Sequence, residues 1–232
     1  MQIDERPSRR VVIGGAITVL AGLVLQGEVQ AAQPTATSAV SPDVALSRLQ
    51  EGNRRFVKGA LANGNLGAER RLAFAEHQAP FASVLSCSDS RVSPELIFDQ
   101  HIGDLFVVRV AGNFADTVGL GTLEYGYSNL NAKLIVVLGH EGCGAIKATV
   151  DAIKSGSPLP PHLNALQAGI EPGIKSIAKT GSYEDAVLAN VRAQVLQLSS
   201  AGPVLAAAVA RGDLRIVGAE YTLLSGEVTV LT

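Results

Sequence analysis

Four short runs rich in β-branched and aliphatic residues, 81–86 (FASVLS), 105–110 (LFVVRV), 134–138 (LIVVL) and 214–217 (LRIV), alternate along the chain with longer stretches of helical period. This alternation constrains the fold more than any other feature of the sequence. Strands that read as near-continuous apolar runs are covered on both faces, and the intervening helices supply both the cover and the crossovers. The expected class is therefore α/β, a mostly parallel β-sheet flanked by α-helices. Helices are expected around 118–130, 145–154, 183–199 and 203–211, and a fifth, edge strand at 228–231. Ahead of the sheet, Ser41 can cap a helix that Pro42 begins and that ends near Gly59, and a second short helix is expected around 68–77. The proline-rich stretch 155–180 reads as an irregular excursion holding one helix.

The N-terminus follows a different logic. Arg6, Arg9 and Arg10 precede the uncharged stretch 11–25 (VVIGGAITVLAGLVL), after which Val29-Gln30-Ala31 forms a small-residue cleavage pattern. Residues 1–31 thus read as an export signal. Ser8-Arg9-Arg10 resembles the twin-arginine address of bacteria, the alternative being a general secretory signal with paired arginines. The apolar stretch falls short of the roughly 20 residues needed to cross a bilayer, so no permanent membrane span is expected. Residues 32–41 are a flexible linker of Ala, Thr, Ser and Pro, which leaves 42–232 as the folded domain, exported and expected in the bacterial periplasm.

With 19 Lys and Arg against 21 Asp and Glu, the formal charge is −2, and no basic field exists to bind a nucleic acid by counterion release. Only two cysteines are present, and in an exported protein their default pairing is a disulfide. Their context offers another use. The first strand closes into Cys87-Ser88-Asp89-Ser90-Arg91, and the third into Gly139-His140-Glu141-Gly142-Cys143-Gly144. Loops beyond the carboxyl ends of parallel strands meet in one crevice. There Cys87, His140, Cys143 and Asp89 bring sulfur, imidazole and carboxylate in the mixture that zinc accepts tetrahedrally. No second His stands four residues beyond His140, which excludes the metalloprotease signature.

These motifs, with VSPELIFDQHIGDLFVVRVAGN after Arg91 and Gly121-Thr122-Leu123-Glu124-Tyr125, resemble the β-class carbonic anhydrases from about Pro42 to Tyr221. The resemblance implies a zinc enzyme that hydrates carbon dioxide to bicarbonate, acting as a homodimer or dimer of dimers. It implies Cys87, His140 and Cys143 as permanent zinc ligands. Asp89 is implied as a conditional fourth ligand that either pairs with Arg91, leaving the site open, or swings onto the metal and closes it. Arg91 can grip a carboxylate with two parallel bonds and so hold it off. The likeness further implies Gln78, Phe106, Tyr125 and Gly144 as substrate-binding, with Gln78 reaching across the dimer interface. Family members that close allosterically hold inhibitory bicarbonate with a Trp, an Arg and a Tyr. Arg109 and Tyr221 could supply two of these, but Val84 stands at the Trp position and the chain has no Trp, so an open site is expected. Two thiolates make the metal a poorer acid than three imidazoles would, so activity is expected to rise into the alkaline range.

Other readings remain at this level. A non-catalytic exported zinc protein would have its site closed by four protein ligands, and a same-fold enzyme could act on another small linear molecule such as carbon disulfide. His77, His101 and His162 read as surface or core residues, and Asp104 and Glu124 as partners in caps or ion pairs.

Overall fold

The computed structural model describes residues 40–62 and 67–231; residues 1–31, read as an export signal, and nearly all of the linker lie outside them. Five strands form one sheet in the order β2-β1-β3-β4-β5. The strands are β1 (Ala82–Ser86), β2 (Leu105–Arg109), β3 (Leu134–His140), β4 (Arg215–Tyr221) and β5 (Val228–Leu231). The first four pair in parallel, and β5 returns antiparallel along β4. Every residue of β1 and β3 is buried, as central parallel strands covered on both faces require.

Side-chain alternation divides the core between the two faces. Val84, Val136 and Leu138 pack with Ala45 and Leu49 of α1 (Pro42–Val57). Leu85, Ile135 and Val137 face Leu123 of α4 (Thr117–Leu130), Val191 and Leu198 of α7 (Tyr183–Ser200) and Leu205 of α8 (Val204–Ala210). Three of the described helices, α1, α4 and α7, start at polar side-chain caps. Ser41 Oγ accepts from Val44 N, Asp116 Oδ1 accepts from Gly119 N at 2.8 Å, and Ser182 and Asp185 form a reciprocal capping box on α7. A third cluster, built on Cys87, Phe114, Cys143, Ile146, Ile170 and Val187, involves α5 (Gly144–Ser155), α6 (Leu163–Ile174) and α7.

Several expected boundaries move. The helix expected over 68–77 is the shorter α2 (Ala68–Ala73), because residues 75–79 are exposed and gain no packing from continuing it. A single turn, α3 (Pro94–Ile97), is too short to show a period in the sequence. Strand β4 continues past Val217 through Gly218-Ala219, whose small side chains carry little strand signal. They serve packing instead: a Cβ on Gly218 would lie 2.7 Å from Val191 Cγ1, and one on Gly139 of β3 would lie 2.5 Å from Val191 Cγ2. Two glycines on neighbouring strands thus form the seat on which α7 rests. The excursion 155–180 does hold one helix, α6.

Candidate metal centre

Cys87 is the first residue beyond β1, and His140 is the last residue of the adjacent β3. Two residues later the chain turns at Gly142, with φ +64°, and Cys143 caps the N-terminus of α5. The left-handed φ explains the glycine, since other residues adopt that conformation only with strain. The result is a buried trio whose potential ligand atoms all lie within 4.8 Å of one another. The two sulfurs are 4.0 Å apart and unbonded, so the default disulfide is not formed.

The imidazole is held in one orientation. His140 Nδ1 lies 2.9 Å from the Glu141 carbonyl oxygen and donates to it, which leaves the lone pair on Nε2. Nε2 is buried and has no hydrogen-bond partner. An orphaned buried nitrogen facing two thiols is costly, and a cation would satisfy all three groups together. Tetrahedral zinc with Zn–S bonds of about 2.3 Å would set its sulfurs about 3.8 Å apart, close to the separation present. The trio fits zinc.

Electrostatics point the same way. Cys87 is pulled well below the usual thiol range by the Cys143 thiol donating to it, against burial, with help from His140 and from the Gly112 N–H, which donates to Cys87 Sγ at 3.4 Å. Cys143 is pushed upward, because it keeps its proton in the hydrogen bond to Cys87, while burial and repulsion from the Cys87 charge oppose a second thiolate. A divalent cation removes that repulsion. The N–H groups of Ile146 and Ala145 already favour the Cys143 thiolate at the positive end of α5. Burial pushes His140 down, but the Cys87 sulfur, the Glu141 carbonyl and the Asp89 carboxylate together outweigh it and hold its pKa above the ordinary value.

Beside the trio, Arg91 donates from Nε to Asp89 Oδ1 at 2.9 Å and from Nη2 to Oδ2 at 2.7 Å, and its backbone N–H adds a third bond at 2.9 Å. These bonds from Arg91 hold the Asp89 carboxyl far below the usual carboxylate range. Asp89 Oδ2 stands 4.0 Å from His140 Nε2. Arg109 donates to the carbonyls of Cys87 and Asp89.

The remaining site residues suggested by the sequence are dispersed. Gly144 opens α5 next to Cys143, exposed and with free space where a Cβ would stand. Phe106 on β2 and Tyr125 on α4 pack together with ring centroids 6.2 Å apart, and Tyr125 is 48% exposed. Phe106 is paired with Ser83, four residues before Cys87. Gln78 is exposed on the segment leading into β1. Tyr221 is buried opposite His140 in the β3–β4 register. Asp104 accepts from Arg70 and from His101 N, a structural role. Sequence reasoning missed the Gly112 N–H on Cys87 Sγ, because a backbone donor leaves no side-chain signal.

Comparison with known proteins adds to this geometry. Residues 82–228 match the family model described as carbonic anhydrase. A carbonic anhydrase of Mycolicibacterium smegmatis is 38% identical over 190 residues, covering 81% of this chain and 92% of that protein. The structure of a Coccomyxa β-carbonic anhydrase in complex with acetazolamide is 32% identical with a TM-score of 0.61, covering 80% of this chain and 86% of that one. Tetrameric β-carbonic anhydrases of Sordaria macrospora give 25% identity and a TM-score of 0.62, covering 82% of this chain and 95% of that one.

Proposed function

The chain belongs to the carbonic anhydrase family, and on that premise we propose that it interconverts carbon dioxide and bicarbonate, with Cys87, His140 and Cys143 holding a zinc ion. The observation that carries this reading is the buried Cys-His-Cys trio with an unsatisfied imidazole nitrogen, beside a carboxylate already claimed by an arginine. When bound, zinc acidifies water toward hydroxide and offers positive charge to the developing anion.

The chain's own residues do the rest. The Glu141 carbonyl fixes the tautomer that presents Nε2, and the Gly112 N–H and the start of α5 favour the thiolate forms of the cysteines. Arg91 keeps Asp89 off the metal position, leaving Asp89 Oδ2 as an acceptor that can orient a water molecule. With Asp89 so held, the protein supplies three ligands and not four, which favours an open site over a closed structural one. The reaction releases one proton for each carbon dioxide and water consumed, and buffer removes it.

Phe106, Tyr125 and Gly144 line the substrate pocket, and Gln78 reaches the substrate of a second copy of the chain in a homodimer or dimer of dimers. The exposure of Gln78 on the segment leading into β1 supports this, as does the tetrameric state of the Sordaria proteins. Residues 1–31 direct export to the bacterial periplasm by the twin-arginine route; Arg9-Arg10 ahead of the apolar stretch supports it, and mass spectrometry of the mature N-terminus tests it. A stopped-flow carbon dioxide hydration assay on the zinc-loaded full chain tests the activity. Catalysis that acetazolamide suppresses supports the reading, and an inactive protein with one zinc per chain refutes it.

A further inference from the structure

Arg109 closes the end of the sheet in a way the metal trio itself does not explain. It is the last residue of β2, in register with Ser86. The β1–β2 ladder ends one step later, where Val110 N donates to Ser86 O at 3.1 Å. Beyond that point the carbonyls of Cys87 and Asp89 have no strand to receive donors from. The Arg109 guanidinium takes the place of the missing strand, donating from Nε to Cys87 O at 2.9 Å and from Nη2 to Asp89 O at 2.6 Å. Asp89 O also accepts from Val92 N at 3.0 Å, so the arginine and the turn's own backbone meet on one oxygen.

From these contacts we infer that Arg109 is a positioning residue: its planar fork spans the Cys87–Asp89 turn and holds both the Cys87 sulfur and the Asp89 carboxylate in place for the proposed zinc site. The residues just after it reinforce the hold, since Gly112 N donates to Cys87 Sγ. Cys87 is thus gripped at its carbonyl and its sulfur by one segment, 109–112. A compact ammonium can reach one of the two carbonyls but cannot span both, so lysine is not an equivalent here. Two of the five N–H donors of Arg109 are committed to these backbone oxygens.

The inference rests on the proposed zinc site, and its test reads metal release as well as activity. Arg109→Lys and Arg109→Met are prepared as full chains loaded with zinc, and zinc transfer to a chromogenic chelator is timed. Both variants are expected to release zinc about tenfold faster than the parent or more, the scale on which outer partners of metal ligands act. Both should also show a lowered kcat with KM little changed, at unaltered circular dichroism. Release at the parental rate overturns the inference. So does a parental rate in Arg109→Lys alone, which would show that charge suffices without the fork. If Arg109→Met does not fold, the lysine variant decides by itself. A parent chain that holds zinc but hydrates no carbon dioxide refutes the proposed activity, while the release rates still decide the role of Arg109.

Discussion

Arg91 holds both carboxylate oxygens of Asp89, at 2.7 and 2.9 Å, while Asp89 Oδ2 stands 4.0 Å from the unpartnered Nε2 of His140. The carboxylate therefore has two competing destinations, the guanidinium and the metal position. Arg91→Ala removes the first. Carbon dioxide hydration near neutral pH is expected to fall about tenfold, a modest factor because the arginine is largely exposed and its pairing is screened by solvent. Stopped-flow kinetics check this, and an unchanged rate would mean that Asp89 needs no restraint.

Replacing a ligand should abolish metal binding outright. His140→Ala and Cys143→Ser are each expected to lower zinc from one per chain to less than about a tenth, because three protein ligands leave no redundancy. Elemental analysis after dialysis reads the outcome. Chelation of the parent should also expose two reactive thiols to a thiol reagent, since the cysteines are unbonded.

The sheet and the trio were legible in the sequence for related reasons. Continuous runs such as Leu134–Leu138 mark buried parallel strands, and strand ends in such sheets converge, so the sequence alone brings Cys87 and His140 together. Tertiary packing concealed the rest. The extension of β4 through Gly218-Ala219 depends on Val191 of α7 pressing on glycine, a contact that local propensity cannot express. The clamp from Arg109 to the Cys87 and Asp89 carbonyls joins positions about twenty residues apart and ends on backbone atoms, which carry no residue type to read. The spacing of Cys87, Asp89 and Arg91 announced their partnership because all three lie on one short turn.

Stability should respond to pH through the α7 cap. Asp185 accepts hydrogen bonds from Ser182 N and Oγ, and these hold its carboxyl below the usual value. A depressed carboxyl binds fewer protons folded than unfolded. Its contribution is therefore present above the unfolded pKa of about 3.9 and is lost as pH falls through the lower folded value. Asp185→Ala is expected to lower the thermal midpoint by about 2–4 °C at neutral pH. That deficit should shrink toward zero as the solution is acidified below the unfolded pKa. Paired melting curves across acidic pH check the sign.

Close helix packing gives a further test away from the site. In α1, a Cβ on Gly52 would overlap the Phe98 carbonyl oxygen and lie 2.6 Å from Phe98 C, with Gln100 Nε2 at 2.8 Å. Because the obstruction is backbone, no rotamer relieves it. Gly52→Ala is expected to destabilise the fold by about 3 kcal/mol, toward the upper end for overpacking. Urea denaturation measures it, and a neutral result would mean that α1 shifts freely over α3.

The central claim is that the Cys87-His140-Cys143 trio holds zinc for carbon dioxide hydration. Isotope exchange tests it most directly, with the loss of 18O from labelled carbon dioxide and bicarbonate followed by mass spectrometry with the full chain present. Zinc-loaded protein is expected to accelerate the exchange, more strongly at about pH 9 than at about pH 7 because two thiolates weaken the metal's acidity. Stripping the metal should abolish the acceleration and zinc should restore it. Exchange at the uncatalysed rate throughout that range, with one zinc bound per chain, would contradict the account.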